Sequence, residues 1–294
     1  MTRLLTDNVE VIAQSQEGVP KLRQVILDLA VRGKLVEQDS GDDPASLLLD
    51  QAAVQRRAFS SGGIARPVQG EGSQALPDGW AFATLRELAR VRGGMTPAMS
   101  NSAYWGGEIP WVSPKDMHIG RISGSELRIT ARALEETSLE LIPVNSILVV
   151  ARSGILKRKL PIQVTAVPCT INQDLKAFTP FIASLVPYVE LLLRGYESTI
   201  LREDVKPGTT VQSLISNKLF DRLFPIPPLA EQGRILRRVD ELMALCGQLS
   251  TSIAAAGRVQ ASLATSITSA AGADAEHSSS SAKSSSSSGP VALG

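Results

Sequence analysis

Residues 225–232, Pro-Ile-Pro-Pro-Leu-Ala-Glu-Gln, open the stretch that decides the fold. Their three prolines fix φ and lack an amide donor, which suits an extended edge segment followed directly by the first turn of a helix. Glu231 falls within that first turn, where a carboxylate complements the helix dipole. The sequence therefore predicts a helix that begins at about Leu229.

Beyond this start, apolar side chains recur alternately every four and three residues. The predicted seam contains, in order, Ile235, Val239, Leu242, Cys246, Leu249, Ile253, Ala256, Gln260, Leu263, Ile267 and Ala270. A repeat of 3.5 residues is typical of a coiled coil and is narrower than the stripe of an ordinary surface helix. We therefore predict a coiled-coil helix over residues 229–271, roughly 60 Å long. A long helix lying along a single core is the alternative.

The rest of the chain divides by composition. Residues 1–59 are predicted to be an N-terminal helical segment, in which Gly33 suits a helix C-cap and Asp43-Pro44 suits a helix start. Residues 60–75 are rich in glycine and serine and indicate a linker, and the serine-rich residues 272–294 indicate a disordered tail.

The middle region, residues 76–228, has the size of one domain. Its predicted elements are short and mixed, so the predicted fold class is α+β: one mixed α/β domain plus N-terminal helices and a long C-terminal coiled-coil helix. The predicted strands are 89–92, 109–112, 147–151 and 163–167, and the predicted helices are 131–139, 181–196 and 213–219.

Composition places the chain among ordinary globular proteins. It has 294 residues, 43% of them hydrophobic and 20% charged, and a formal net charge of +1. Cys169 and Cys246 sit in apolar patterns without metal-ligand spacing, which is typical of reduced thiols in a cytoplasmic protein. We find no apolar run of membrane-span length and no signal-peptide core, so we expect a cytoplasmic protein with no membrane partner.

Sequence motifs of catalysis are missing. The two histidines are His118 and His277, and no nucleophile elbow, phosphate-binding loop or zinc-binding helix pair occurs. We therefore predict no catalytic, cofactor-binding or metal-binding residue in this chain. Because carboxylates need no motif to act as acid and base, a nuclease that uses residues such as Glu108, Asp116 and Asp174 is an alternative.

Cations of the middle domain concentrate in its loops, beside hydroxyl and amide side chains. Such loops can meet phosphates, and arginine can also read guanine edges. A merely solvated surface has the same residue types, so the pattern alone leaves both readings open. The candidate DNA-binding residues are Arg92, Thr96, Lys115, Arg152, Lys157, Arg158, Lys159, Gln173, Lys206, Thr209 and Thr210. Arg152 and Gln173 are the candidates for base reading.

Several stretches, in this order and spacing, resemble one protein family. They are Trp80, Arg-Gly-Gly-Met-Thr-Pro at 92–97, Tyr-Trp-Gly-Gly-Glu-Ile-Pro-Trp-Val-Ser-Pro-Lys-Asp-Met at 104–117, Ser-Gly-Ile-Leu-Lys-Arg at 153–158 and Thr-Ile-Asn-Gln-Asp-Leu at 170–175. Residues 27–36, 225–232 and 239–246 extend the match. Together they resemble the specificity subunit of type I restriction–modification systems, in a half-length form with a single target-recognition domain.

The resemblance implies an adaptor that binds double-stranded DNA while its partners methylate or cleave. It implies DNA methyltransferase and restriction/translocase subunits as partners, with S-adenosylmethionine and ATP with Mg used by those subunits and no cofactor in this chain. It also implies that one recognition domain reads half of a bipartite target.

A single recognition domain would need a second one, so we expect a homodimer or a pair with another specificity chain. The expected coiled-coil interface contains Ile235, Val239, Leu242, Cys246, Leu249, Ile253, Leu263 and Ile267. Another alternative is a coiled-coil adaptor that does not bind DNA and regulates a full-length specificity subunit. Trp80, Trp105 and Trp111 are expected in the core and not as platforms for base stacking.

Overall fold

The computed structural model describes residues 18–59, 75–118, 120–208 and 210–284, with the backbone alone at residues 59 and 267–284. Residues 1–17, most of the predicted linker at 60–75 and the end of the predicted tail at 285–294 lie outside the described residues. The helices are α1 (Gly18–Val31), α2 (Ala45–Phe59), α3 (Leu85–Leu88), α4 (Ala131–Glu136), α5 (Val186–Gly195), α6 (Glu197–Glu203), α7 (Ser216–Phe220) and α8 (Leu229–Ser284).

The strands form small sheets. They are β1 (Ala81–Ala83), β2 (Ala89–Gly93), β3 (Trp105–Val112), β4 (Leu127–Ile129), β5 (Ile147–Val150), β6 (Arg152–Ser153), β7 (Ile162–Val164), β8 (Thr170–Ile171), β9 (Leu175–Pro180), β10 (Val205–Lys206), β11 (Gln212–Leu214) and β12 (Phe224–Ile226). Their orders are β2-β9-β5-β7, β4-β3-β8, β10-β11-β6 and β1-β12. The mixed α+β fold that the sequence predicts is confirmed.

The four-stranded antiparallel sheet carries the core. β5 is an uninterrupted apolar run, Ile-Leu-Val-Val, and all four of its residues are buried, as expected of a strand covered on both faces. Phe178 of β9 meets Phe220 of α7 edge-on, with ring centroids 5.4 Å apart. A second cluster holds Trp111, which is 7% exposed, and Trp80 is 8% exposed. Both tryptophans therefore lie in the core as predicted.

The proline-rich stretch at 225–228 behaves as its composition predicts. Pro225 lies in β12 opposite Phe82 of β1, and the two strands form a sheet by themselves. Each strand is an edge, where a proline is tolerated when its nitrogen faces away from the partner strand. α8 then begins at Leu229 with Glu231 in its first turn.

Two compact units are distinguished along the chain. One is Gln24–Leu242, and the other contains residues 18–23 and 243–284 among those described. In the first unit, Gly33 follows α1 at φ +67°, which confirms its prediction as a C-cap glycine. In the second unit, Arg23 of α1 and Cys246 of α8 interact, and burial raises the pKa of the Cys246 thiol.

Two predicted boundaries differ from those of the structure. Residues 213–219, predicted as one helix, contain strand β11 up to Leu214 and helix α7 from Ser216. The serine and leucine at 213–214 pair with β6 and β10 instead, so tertiary pairing overrides the local pattern. α8 spans Leu229–Ser284, whereas the predicted coiled-coil helix ends at 271.

The predicted coiled-coil seam divides into covered and exposed parts. Ile235, Val239 and Cys246 are buried within the chain, whereas Leu263 is 61% exposed. Leu242, Leu249 and Ile253 are half-buried, and the side chain of Ile267 lies outside the described residues. Because Ile235, Val239 and Cys246 are already buried, they cannot serve as an interface for a second chain.

Candidate nucleic-acid interface

An open cleft of about 680 Å³ lies between sheet β4-β3-β8 and strand β6. Three of the candidate DNA-binding residues line it, namely Lys115, Arg152 and Gln173. They come from segments far apart in sequence, so the fold brings together what the sequence only places in separate loops. The remaining lining residues are Trp111, Ser113, Pro114, Asp116, Glu126, Leu127, Ser153, Gly154, Asn172, Asp174 and Val211.

Backbone hydrogen bonds hold Arg152 beside the turn that carries Gln173. The carbonyl oxygen of Asp174 accepts from the amides of Ala151, at 2.7 Å, and of Arg152, at 3.1 Å. The turn itself is closed by the Asn172 side chain, whose Oδ1 accepts from the Asp174 amide at 3.0 Å. Arg152 and Gln173 are both exposed, so their polar ends face the cleft from a fixed backbone.

Lys115 lies in a 3-10 helix, Pro114–Asp116, whose start is closed by a reciprocal capping box between Ser113 and Asp116. The Asp116 carboxylate accepts from the amide and the hydroxyl of Ser113, both at 2.8 Å, and from the amide of Glu126 at 2.8 Å. All three bonds are internal to the protein and fix the turn. Asp116 therefore acts as a structural cap that positions Lys115, which does not favour its alternative role in acid–base chemistry.

The loop after β2 docks on the same turn through Gly94. A Cβ atom at Gly94 would overlap the carbonyl oxygens of Ile171 and Asn172. This close approach lets the Met95 amide donate to Ile171 at 3.1 Å and places the Thr96 hydroxyl 2.6 Å from Oε1 of Gln173. Thr96, another candidate, is thereby held at the edge of the cleft and orients the Gln173 amide.

The cationic loop after β6 lies outside this cleft. Lys157, Arg158 and Lys159 are all exposed, and Lys159 lines a separate cleft of about 730 Å³. A third cleft, of about 400 Å³, shares Lys115 with the first and His118 with the second. The three clefts therefore follow one another across a continuous surface.

Two further candidates, Lys206 and Thr210, are brought near β6 by the three-stranded sheet β10-β11-β6. Lys206 is exposed in β10, and β11 joins β10 to β6. The backbone of Thr210 approaches Gly154, at the start of the β6 loop. Thr209 lies outside the described residues.

The Arg92 side chain is packed within its own domain. Its side chain is 11% exposed, and Nε lies 3.0 Å from the Glu140 carboxylate. Burial lowers the pKa of the guanidinium, and the Arg90 charge lowers it further. Because this head group is packed against its own domain, Arg92 is not available to DNA, contrary to the prediction from its loop position.

Sequence reasoning missed several residues of these clefts. Arg121 lines the third cleft and is oriented by Asn145, whose Oδ1 accepts at 2.5 Å. Leu127 and Val211 place exposed apolar side chains in the main cleft. The signal for Arg121 was its position directly after Gly120, since a cation beside a turn glycine has the same character as the other candidate cations.

The described part of the chain contains no group of three or more His, Cys, Asp or Glu side chains arranged to hold a metal ion. Nor does any helix within it have the length and apolar character needed to cross a membrane. What the cleft does present is a cation from each side, an oriented amide and apolar contacts. These are the groups that read phosphates and base edges.

Comparison with known proteins identifies the family of this chain. The family model described as the type I restriction modification DNA specificity domain matches residues 77–255. The chain is 40% identical over 171 residues to the type I restriction enzyme EcoR124I/EcoR124II specificity subunit of Escherichia coli, a match that covers 58% of this chain and 42% of that protein.

A second E. coli relative, the EcoEI specificity subunit, is 28% identical over 79% of this chain and 40% of its own length. A solved chain of a type I R-M system superposes with a TM-score of 0.51 at 18% identity, over 84% of this chain and 53% of that one. The matches thus reach about half the length of these relatives or less. Because the family model covers most of the chain, this protein belongs to the family of type I restriction modification DNA specificity domain proteins.

Proposed function

We propose that this chain is the DNA sequence-specificity subunit of a type I restriction–modification complex and reads one half of a bipartite target. The observation that carries the proposal is the convergence of Lys115, Arg152 and Gln173 on one open cleft. Arg152 and Gln173 supply hydrogen bonds for base edges, and Lys115 supplies a charge for a phosphate. A cleft with these groups suits DNA better than a small ligand, because it is wide and bears cations at its edge.

Catalysis belongs to the partner subunits in this proposal. A DNA methyltransferase subunit uses S-adenosylmethionine, and a restriction/translocase subunit uses ATP with Mg, while this chain binds double-stranded DNA in the cytoplasm. One of the carboxylates that line the cleft, Asp116, is engaged by Ser113 and Glu126, which supports an adaptor over a nuclease.

Replacing Lys157, Arg158 and Lys159 together with alanine tests whether the DNA backbone extends along the neighbouring clefts. We expect weaker binding to every DNA sequence, because interactions with phosphates carry no sequence information. The slope of log affinity against log salt should shrink by roughly 0.9 for each phosphate that the protein no longer neutralises. Fluorescence anisotropy with a labelled duplex, at several salt concentrations, measures both quantities.

The matched control is a triple alanine variant of Lys21, Arg56 and Arg57, which lie in the N-terminal helices. This variant removes the same charge from residues that line none of the three clefts, so its slope should stay at the wild-type value. An unchanged slope in the Lys157–Lys159 variant would place that loop on a merely solvated face.

A second copy of the chain would supply the other half of the target. α8 carries an exposed stripe between residues 245 and 263, where Leu245 is 55%, Val259 is 68% and Leu263 is 61% exposed. Leu249, Ser252 and Ala256 continue this stripe at spacings of four and three residues. We assign the contact with a partner to this stripe, because Ile235, Val239 and Cys246 of the predicted seam are buried within the chain. An exposed apolar stripe of this kind suits an antiparallel partner helix.

Val259→Asp combined with Leu263→Asp should convert the dimer to a monomer, because carboxylates buried in an apolar seam cost several kcal/mol. Sedimentation at micromolar concentration measures the change. Ala261→Asp is the matched control, since Ala261 is exposed and lies on the opposite face of the same turns. Dimerisation that survives the double substitution would contradict this pairing, as would a wild-type chain that sediments as a monomer without partner subunits.

A further inference from the structure

The first two turns of α8 are embedded in the unit Gln24–Leu242. Glu231 and Gln232 are each 1% exposed, and Ile235 is fully buried. The Gln232 side chain donates to the carbonyl of Pro227 at 3.0 Å, so it ties the helix to the strand-end residues that precede it. Polar side chains with so little exposure are uncommon, and here they indicate that the helix start is held by specific partners.

Trp80 supplies one contact to this helix start. Its indole Nε1 donates to Oε2 of Glu231 at 3.0 Å, in a buried position. Trp80 precedes β1, the strand that pairs with β12 directly before α8. Its ring also packs on the turn after α1, where a Cβ at Gly33 would lie 2.9 Å from the indole. Trp80 thus joins three segments: the N-terminal helices, the recognition domain and α8.

Arg234 supplies the second contact, on the same face of α8 and three residues further along. Its guanidinium makes two bonds to the carboxylate of Asp42, at 3.1 and 2.6 Å. Asp42 is 8% exposed, lies between α1 and α2, and has its pKa lowered by the Arg234 hydrogen bond. A paired arginine fork fixes an angle as well as a distance. The Ala45 amide, at the start of α2, further donates to the carbonyl of Gly79 at 2.8 Å.

We propose that Trp80, Asp42 and Arg234 form a clamp that sets the direction in which α8 leaves the recognition domain, and thereby the spacer between the two DNA half-sites. The inference rests on the proposed function above, namely DNA reading by two paired chains. Trp80, Asp42 and Arg234 are positioning residues, because none of them lines the main cleft.

Helix length makes the clamp effective. A tilt of about 10° at the first turn displaces Leu242, roughly 20 Å along the helix, by roughly 3.5 Å. That displacement corresponds to about one base-pair step of DNA. The chain between β12 and α8 could by itself act as a hinge. The contacts from Trp80 and Asp42, which come from separate segments, resist such a tilt.

The test measures spacer choice apart from half-site affinity. The probes are duplexes that carry the motif methylated in cells, with spacers lengthened or shortened one base pair at a time, and a duplex with a single half-site. Trp80→Phe keeps an aromatic ring, smaller than the indole, but removes the donor, and Asp42→Asn removes the ion pair. We expect both variants to bind the single half-site within about twofold of wild type while their preference for the best spacer falls at least fivefold.

A charge swap separates positioning from general stability. Asp42→Arg and Arg234→Asp should each broaden the spacer profile, and the two together should restore it. Arg238→Ala is the matched control, because Arg238 lies one turn further along α8 and pairs within that helix, with Glu241. Variants that keep the wild-type spacer profile, or that lose half-site affinity in parallel, would overturn the clamp. A wild-type chain that binds no half-site would overturn the DNA-reading function itself, together with the inference.

Discussion

Gly94→Ala is expected to destabilise the recognition domain by at least about 3 kcal/mol, at the upper end of overpacking effects. The new methyl group would overlap the backbone oxygens of Ile171 and Asn172, and neither carbonyl can move as a flexible side chain can. Separation of the two segments would break the Met95–Ile171 hydrogen bond and the bond from the Trp111 indole to the Met95 carbonyl, which is 2.9 Å long. Urea denaturation followed by tryptophan fluorescence measures the destabilisation.

Gly124→Ala is the matched control for this change. A Cβ at Gly124 would meet only the end of the Arg128 side chain, at 4.0 Å. The free energy of unfolding of this variant should therefore stay within about 1 kcal/mol of wild type, which is the size of the change that a Gly→Ala substitution makes through the entropy of the unfolded chain. Equal stability of the two variants would contradict the tight approach of the β2 loop to the turn at 172–174.

Arg152→Ala is expected to lower affinity for the cognate DNA by about 5- to 150-fold. This range follows from the 1–3 kcal/mol that a good side-chain contact to a base edge contributes. Affinity for unrelated DNA should fall far less, so the ratio of specific to non-specific binding should fall. Arg152→Lys should rescue little, because lysine lacks the planar fork that reads two acceptors at once.

Arg202→Ala removes the same charge from α6, where Arg202 is 67% exposed and pairs with Glu203. Titration of cognate and unrelated duplexes with both variants separates the general effect of removing a cation from the specific effect of removing a base contact. Similar reductions in affinity for Arg152→Ala and Arg202→Ala would show that Arg152 contributes only to the net field of the protein.

Local rules predicted the elements whose determinants are adjacent in sequence. The start of α8 at Leu229 follows from the prolines before it, and the glycine at 33 takes the positive φ that a C-cap needs. The strand β5 is likewise evident from four consecutive apolar residues. Where pairing is long-range, as for β11 with β6, the local pattern indicated a helix and was wrong.

The candidate site was predictable in its residue types but not in its grouping. Lys115, Arg152 and Gln173 belong to separate loops, and only tertiary hydrogen bonds such as those of the Asp174 carbonyl bring them together. Arg92 had the same sequence character, yet its side chain is only 11% exposed and its partner Glu140 lies 48 positions away in the chain. Burial of that kind depends on the whole fold, so loop composition could not reveal it.

If the cleft of this chain chooses the DNA sequence on which its partners act, changing the cleft must change where those partners methylate. The direct measurement is the methylated motif in DNA from cells that carry the complex with wild-type chain, with Arg152→Ala plus Gln173→Ala, or with Arg202→Ala. We expect a bipartite motif with two identical inverted halves and a fixed spacer for wild type and for Arg202→Ala. For the cleft variant we expect a missing or altered motif at equal amounts of assembled complex. The same motif, methylated equally with all three chains, would contradict DNA reading by the cleft.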